Sequence, residues 1–154
     1  VGCGLGDDAV YLEKMGWKVV AFDLSDSCIA WCKDRFSDSS VHWEVGDVTN
    51  PPESWIGNFD LVVEIHILQA IPAEIREEAA NVLPTLLKPE GRLISIGREA
   101  TDRTEEVMTL PWPLSRKWLM EKFSSLDVVI FQAIVLEDWP DIDRYIGVWQ
   151  RSVQ

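Results

Sequence analysis

The sequence predicts an α/β fold, a doubly wound and mostly parallel sheet of seven strands whose last strand is antiparallel. Three observations predict it. The runs Val19-Val20-Ala21-Phe22 and Leu61-Val62-Val63 are almost wholly apolar, the pattern of strands covered on both faces. Segments of helical spacing alternate with such runs, as in a parallel sheet with helical crossovers. Val1-Gly2-Cys3-Gly4-Leu5-Gly6 carries glycine at alternate positions between an apolar residue and a helical pattern. That is a strand–turn–helix junction, where the backbone comes close to a ligand and unpaired helix N–H groups are at hand.

The elements follow in order. Ala9, Val10, Leu12 and Met15 predict a first helix, ended by Gly16. Trp17–Asp23 reads as the second strand. Ser25 caps a helix whose inner face is Cys28, Ile29, Cys32 and Phe36. Val41–Val45 alternates as the third strand, and Asn50-Pro51-Pro52 breaks the chain. Phe59–Ile65 is the fourth strand. Pro72 opens a long helix with Ile75, Ala79, Val82, Leu83 and Leu86 on its apolar face, kinked at Pro84. After the turn Lys88-Pro89-Glu90-Gly91, Arg92–Gly97 is the fifth strand. Residues 99–110 are polar and irregular. Ser115 caps a short helix carrying Trp118, Leu119 and Phe123. Asp127–Leu136 and Arg144–Arg151 are the sixth and seventh strands, joined through Trp139-Pro140-Asp141 as an antiparallel pair. Val1 alone stands for the first strand, so most of that strand and a preceding helix are expected upstream of the sequence. The length, 154 residues, fits a single domain spanning 1–154.

Composition narrows the partners. The net charge is −12, which argues against a nucleic-acid backbone or an anionic membrane surface, since both select basic patches. No apolar run reaches the length of a membrane span, and no stretch reads as a signal peptide. Three cysteines, Cys3, Cys28 and Cys32, suit a reducing, cytoplasmic setting. No metal site is expected: Cys28-x-x-x-Cys32 and two histidines lack the second cluster that zinc needs.

Ligands of such sheets sit at the carboxyl ends of the strands. The residues to read there are Gly2, Cys3, Gly4 and Gly6, then Asp23 and Leu24, Asp47 and Val48, and Glu64, Ile65 and His66. They are expected to converge on one crevice. The glycines admit a cofactor close to backbone N–H groups. Asp23 follows Gly2 by 21 residues, the separation at which a carboxylate accepts from ribose hydroxyls. Asp47 can accept from an adenine amino group, with the Val48 backbone serving the ring. The Glu64–His66 turn can offer carbonyls to an amino-acid ammonium.

A dinucleotide turn, G-x-G-x-x-G, would place its third glycine at position 7, and Asp7 stands there with Asp8 beside it. Two acids disfavour a pyrophosphate. They tolerate a phosphate-free, cationic cofactor, which S-adenosylmethionine is. No Gly-Lys-Ser/Thr follows, so a Walker loop is excluded.

These stretches resemble the class I S-adenosylmethionine-dependent methyltransferases over essentially the whole chain. The resemblance rests on Val1–Gly6, Phe22-Asp23-Leu24-Ser25, Gly46-Asp47-Val48, Phe59–Val63 and Leu86–Leu93. It implies a Rossmann-like seven-stranded methyltransferase fold. Gly2–Asp8, Leu68–Arg76 and Pro111–Ser115 are similar to the thiopurine and thiol/halide methyltransferase branch. The chain departs from that branch at Val48-Thr49, where those relatives carry aromatic residues. A small-molecule acceptor is implied, a thiol or other soft nucleophile.

Methyl transfer needs a base only when the acceptor must lose a proton. His66 and Glu64 are the candidates at the strand end, with Glu99 and Asp102 from the variable segment. Gln69 is placed to orient an acceptor or to cap the turn. Trp112 and Trp118 are possible pocket walls, and Arg98, Arg103 and Arg116 possible holders of an anionic substrate. Two other classes remain open at this point. One is an NAD-dependent oxidoreductase, which the missing third glycine disfavours. The other is a non-catalytic module that kept the methyltransferase fold.

Overall fold

A computed structural model describes residues 1–101 and 110–153. The chain divides into two compact units, Val1–Pro51 and Pro52–Gln154.

The first unit opens with the glycine turn and helix α1 (Asp7–Lys14). Gly16, at φ 93°, follows the helix end, where a left-handed residue without Cβ costs least. Strand β1 (Val20–Asp23) pairs in parallel with β2 (His42–Val45), Val20 opposite His42 and Asp23 opposite Val45. Helix α2 (Asp26–Arg35) joins them, capped as expected by Ser25, whose side chain accepts from Cys28 N–H at 3.3 Å. Ala9, Val10, Ile29, Cys32 and Trp43 make the core, and Phe36 stacks on Trp43 at 6.1 Å. Met15 is exposed, so α1 buries its Ala9–Val10 edge rather than the whole expected stripe. Arg35 on α2 clamps Asp7 on α1 through two hydrogen bonds of 2.8 and 2.7 Å.

The second unit holds β3 (Phe59–Ile65), helices α3 (Ile67–Ala70) and α4 (Ala73–Val82), β4 (Leu87–Arg98), α5 (Arg116–Lys122), β5 (Asp127–Leu136) and β6 (Trp139–Gln150). The sheet order is β3-β4-β6-β5. β3 and β4 are parallel, and β6 runs antiparallel to both of its neighbours, β4 and β5. The expected antiparallel last strand is therefore present, and it lies between the two strands that precede it in sequence. Ser115 caps α5 by accepting from Trp118 N–H at 3.1 Å. Phe123 packs edge-on against the fully buried Trp149 at 4.9 Å. No helix among the described residues is long and apolar enough to cross a membrane.

Several expectations need correction. The described residues hold six strands in two sheets, not seven in one. Val1 belongs to no strand; the segment that follows it meets β1 through the Cys3 N–H to Phe22 carbonyl bond, 2.9 Å. The last strand starts at Trp139 instead of Arg144, because Leu136 pairs with Trp139 across a tight turn. The turn at Lys88–Gly91 is a break inside β4: Glu90 takes φ 65°, and the register with β3 jumps from Phe59–Leu87 to Leu61–Arg92. The long helix after Pro72 ends at Val82 and continues as a 3₁₀ turn over Leu83–Leu86, as a proline at position 84 requires. Ile75 is 44% exposed, so it does not belong to the buried face.

Candidate functional site

In the first unit the glycine turn and the strand-end acid are joined directly. Gly2, Gly4 and Gly6 all take positive φ, 59°, 50° and 83°, a conformation that side-chain-bearing residues rarely adopt. Gly4 N–H donates to Asp23 Oδ2 at 2.9 Å, and Ser25 N–H donates to Asp23 Oδ1 at 3.0 Å. Each carboxylate oxygen keeps a second lone pair. A Cβ on Gly4 would meet nothing within 4 Å, so the backbone there is open to close approach. Gly6 differs: a Cβ would lie 2.7 Å from Trp43 and 2.9 Å from Cys32 Sγ. Its smallness lets α1 pack on the sheet.

Leu24 is 73% exposed at the end of β1. Asp47 Oδ1 accepts from the backbone and the hydroxyl of Thr49, at 2.9 and 2.8 Å, which shapes the turn after β2; Val48 is half-buried beside it. Cys3 is half-buried, and burial pushes its thiol up to about 12. Cys32 donates to the Gly4 carbonyl at 3.2 Å, and burial raises its thiol as well. These thiols support the turn as uncharged groups. Asp7 is lowered by its hydrogen bond to the Arg35 guanidinium. The repulsion expected from two bare acids is thereby reduced, since Asp7 already has its counter-ion. Arg35 was invisible to motif reading because it lies 28 residues away.

In the second unit β3 ends in Glu64 and Ile65, and His66 follows in the left-handed region, φ 63°. Non-glycine residues stay there when their surroundings over-determine them, which happens often at functional sites. Here the constraints are visible. His66 N–H donates to the Ile96 carbonyl at 3.0 Å, and the His66 carbonyl accepts from Gln69 N–H at 3.2 Å. Gln69 is fully buried; its side chain bonds the Arg98 backbone twice and His66 Nδ1 once.

The structure separates the two candidate bases. His66 is half-buried. Glu64 is 1% exposed, and its carboxyl meets Ser95 Oγ and, at 3.4 Å, Leu68 N–H. Ser95 Oγ lies 2.9 Å from Tyr145 Oη. Burial raises the Glu64 carboxyl to about 7 and pushes the Tyr145 hydroxyl far above its ordinary range. Sequence reading named Glu64 but missed Ser95 and Tyr145 as its neighbours. Their signal was a polar residue set among apolar ones, Ser95 within Leu93–Ile96 and Tyr145 beside Ile146.

The remaining candidates scatter. Glu99 is half-buried and its carboxyl is raised by burial. Trp118 ties α5 to α4 through a 2.7 Å bond to Glu77. Trp112 lies under Arg76 at 5.5 Å, and Arg116 lies over Phe131 at 4.7 Å. Arg98 Nη1 donates to the Pro111 carbonyl at 3.2 Å. Asp102 and Arg103 lie outside the described residues.

Comparison with known proteins gives this geometry a family. Residues 1–91 match a family described as a methyltransferase domain. Thiocyanate methyltransferase 1 of Arabidopsis thaliana is 31% identical over 103 residues, covering 66% of this chain and 45% of that protein. The chain spans less than half the length of the curated relatives it matches. A solved S-adenosylmethionine-dependent methyltransferase from Methanosarcina mazei superposes with a TM-score of 0.84 at 14% identity, covering 99% of this chain and 91% of that one. The 1,6-didemethyltoxoflavin-N1-methyltransferase of Burkholderia thailandensis, solved with S-adenosylhomocysteine, gives 0.79 at 17% identity, over 99% of this chain and 69% of that one. With glycine turn, strand-end acid and fold all in place, the chain belongs to the methyltransferase domain family.

Proposed function

We propose that this domain transfers the methyl group of S-adenosylmethionine to a small-molecule acceptor with a soft nucleophile, a thiol-like sulfur first among them. The observation that carries the cofactor half is the Gly4 N–H to Asp23 Oδ2 bond beneath an open glycine backbone. In this reading the remaining lone pairs of Asp23 accept from the ribose hydroxyls. Exposed Leu24 supplies apolar surface for the nucleoside, and Asp47 with Val48 takes the adenine. The backbone of Glu64 and Ile65 offers carbonyls to the amino-acid ammonium. The acceptor half rests on the likeness to the thiol/halide branch and on the thiocyanate methyltransferases of two plants. A cytoplasmic, reducing setting accords with three free cysteines.

When bound, the cofactor supplies a methyl group already activated on a sulfonium. The chain's own residues position the acceptor and, for a protonated nucleophile, remove its proton. His66 is the base in this reading. Glu64 is the poorer candidate, because its carboxyl is spent inside the sheet on Ser95 and Leu68.

The test is calorimetry with S-adenosylmethionine, S-adenosylhomocysteine and NAD, followed by a screen of thiols, halides, amines and phenols for homocysteine release. Binding of both sulfur ligands with turnover of a thiol is the expected result. Tight NAD binding without a response to S-adenosylhomocysteine would overturn it, and cofactor binding without turnover of any acceptor would leave a non-catalytic module.

A further inference from the structure

We infer that Gln69 is a positioning residue that fixes the tautomer of His66, holding the proton on Nδ1 and leaving the lone pair on Nε2. This rests on the reading of His66 as the acceptor's base, and it adds a residue and a protonation state to that reading.

An amide side chain can be flipped, and a histidine has two tautomers, so neither is read from heavy atoms alone. Here two backbone groups with fixed roles decide. Arg98 N–H can only donate, and it lies 2.7 Å from one end of the Gln69 amide. The Arg98 carbonyl can only accept, and it lies 2.7 Å from the other end. The end facing the N–H is therefore Oε1, and the end facing the carbonyl is Nε2. With the amide so fixed, Oε1 is an acceptor for every neighbour. His66 Nδ1 lies 3.0 Å from that same oxygen. A bond there requires the hydrogen on Nδ1. In the neutral ring the proton is then absent from Nε2, and among the described residues Nε2 meets no hydrogen-bond partner.

The surroundings leave Gln69 no freedom to undo this. It is fully buried. Its carbonyl accepts from Trp112 N–H at 3.0 Å. Gly97 backs it so closely that a Cβ there would stand 2.4 Å from Oε1. His66 itself is held at positive φ by the Ile96 bond, so the ring reaches the amide from a fixed backbone. The consequence is chemical. A free histidine in water favours the proton on Nε2, and a partner at Nδ1 reverses that choice. With Nδ1–H donated to Gln69, Nε2 is the atom that would take the acceptor's S–H or O–H proton, the electron pair of that bond staying on the nucleophile; a bound cofactor would supply the methyl group, its bond to the sulfonium sulfur breaking as the nucleophile–methyl bond forms and leaving its electron pair on that sulfur.

The decisive measurement is a two-bond ¹H–¹⁵N spectrum of the labelled protein at a pH where the ring is neutral. His66→Asn identifies the resonances, because the sequence has one other histidine, His42. The expected spectrum shows a protonated-type shift at Nδ1 and a lone-pair shift at Nε2. Protonated Nε2 in the unmutated protein overturns the inference, and that result needs no variant to fold. In Gln69→Leu the ring is expected to revert to Nε2–H, with kcat down about 10-fold and cofactor affinity unchanged. An unchanged tautomer in a folded Gln69→Leu protein also overturns it. His66→Asn is expected to lose about 100-fold in kcat. Full turnover by His66→Asn, with the Nδ1–H tautomer intact in the parent, overturns the base itself and not the tautomer.

Discussion

Two residues at the glycine turn do different work for physical reasons that the motif alone does not separate. Gly4 is open above its backbone, whereas Gly6 is closed in by Trp43 and Cys32. Gly6→Ala combines a left-handed φ with a 2.7 Å collision, and is expected to cost about 2–4 kcal/mol. Its check is the denaturant midpoint of the purified variant. Asp23→Ala removes the acceptor of two backbone N–H groups along with the proposed ribose ligand. Loss of a charge-assisted bond of about 1.5–3 kcal/mol corresponds to roughly a 10- to 150-fold weaker S-adenosylhomocysteine affinity, read by titration calorimetry. Unchanged affinity would remove Asp23 from the site.

At the scale of elements, the end of β3 is held from two sides. Gln69 anchors the turn to β4 at Arg98. Glu64 bonds β4 at Ser95 and the first turn of α3 at Leu68. Glu64 also makes a pH signature. Its carboxyl rises from 4.5 unfolded to about 7 folded, so the neutral form is the one the fold prefers. The stability this group contributes is complete below about pH 4.5 and is lost as pH rises through about 7, to a total on the order of 3 kcal/mol. Glu64→Gln, neutral throughout, is expected to flatten that slope, as urea unfolding at several pH values across the window would show. Gly97→Ala should displace the Gln69 amide, because the added Cβ collides with its Oε1 and relief requires at least one of its two bonds to the Arg98 backbone to break. Altered His66 ring shifts in the folded variant would register that displacement. The caps Ser25 and Ser115 were legible beforehand, because each follows from one residue's local chemistry; Pro84 marked the right place but ends the α-helix in a 3₁₀ turn instead of kinking it. The α3 turn was not, because its support comes from Gln69 and from the distant Ser95 and Arg98.

For the whole molecule, ligand binding and folding are linked. S-adenosylhomocysteine at about 100 times its Kd is expected to raise the unfolding free energy by about 2.7 kcal/mol and NAD to leave it unchanged; thermal denaturation with each ligand distinguishes them. By itself the sequence determined the α/β class, the order of helices and strands, the antiparallel last strand and the methyltransferase resemblance. All of these rest on local periodicity and on glycines and acids at strand ends, which pattern along the chain. Only the tertiary structure decided how the candidates divide. It turned Glu64 inward and gave Asp7 a counter-ion in Arg35. It set Gln69 between His66 and the Arg98 backbone. A side chain's charge and proton depend on neighbours brought up by folding, such as Ser95, which stands 31 residues from Glu64, and no spacing rule along the chain reports them.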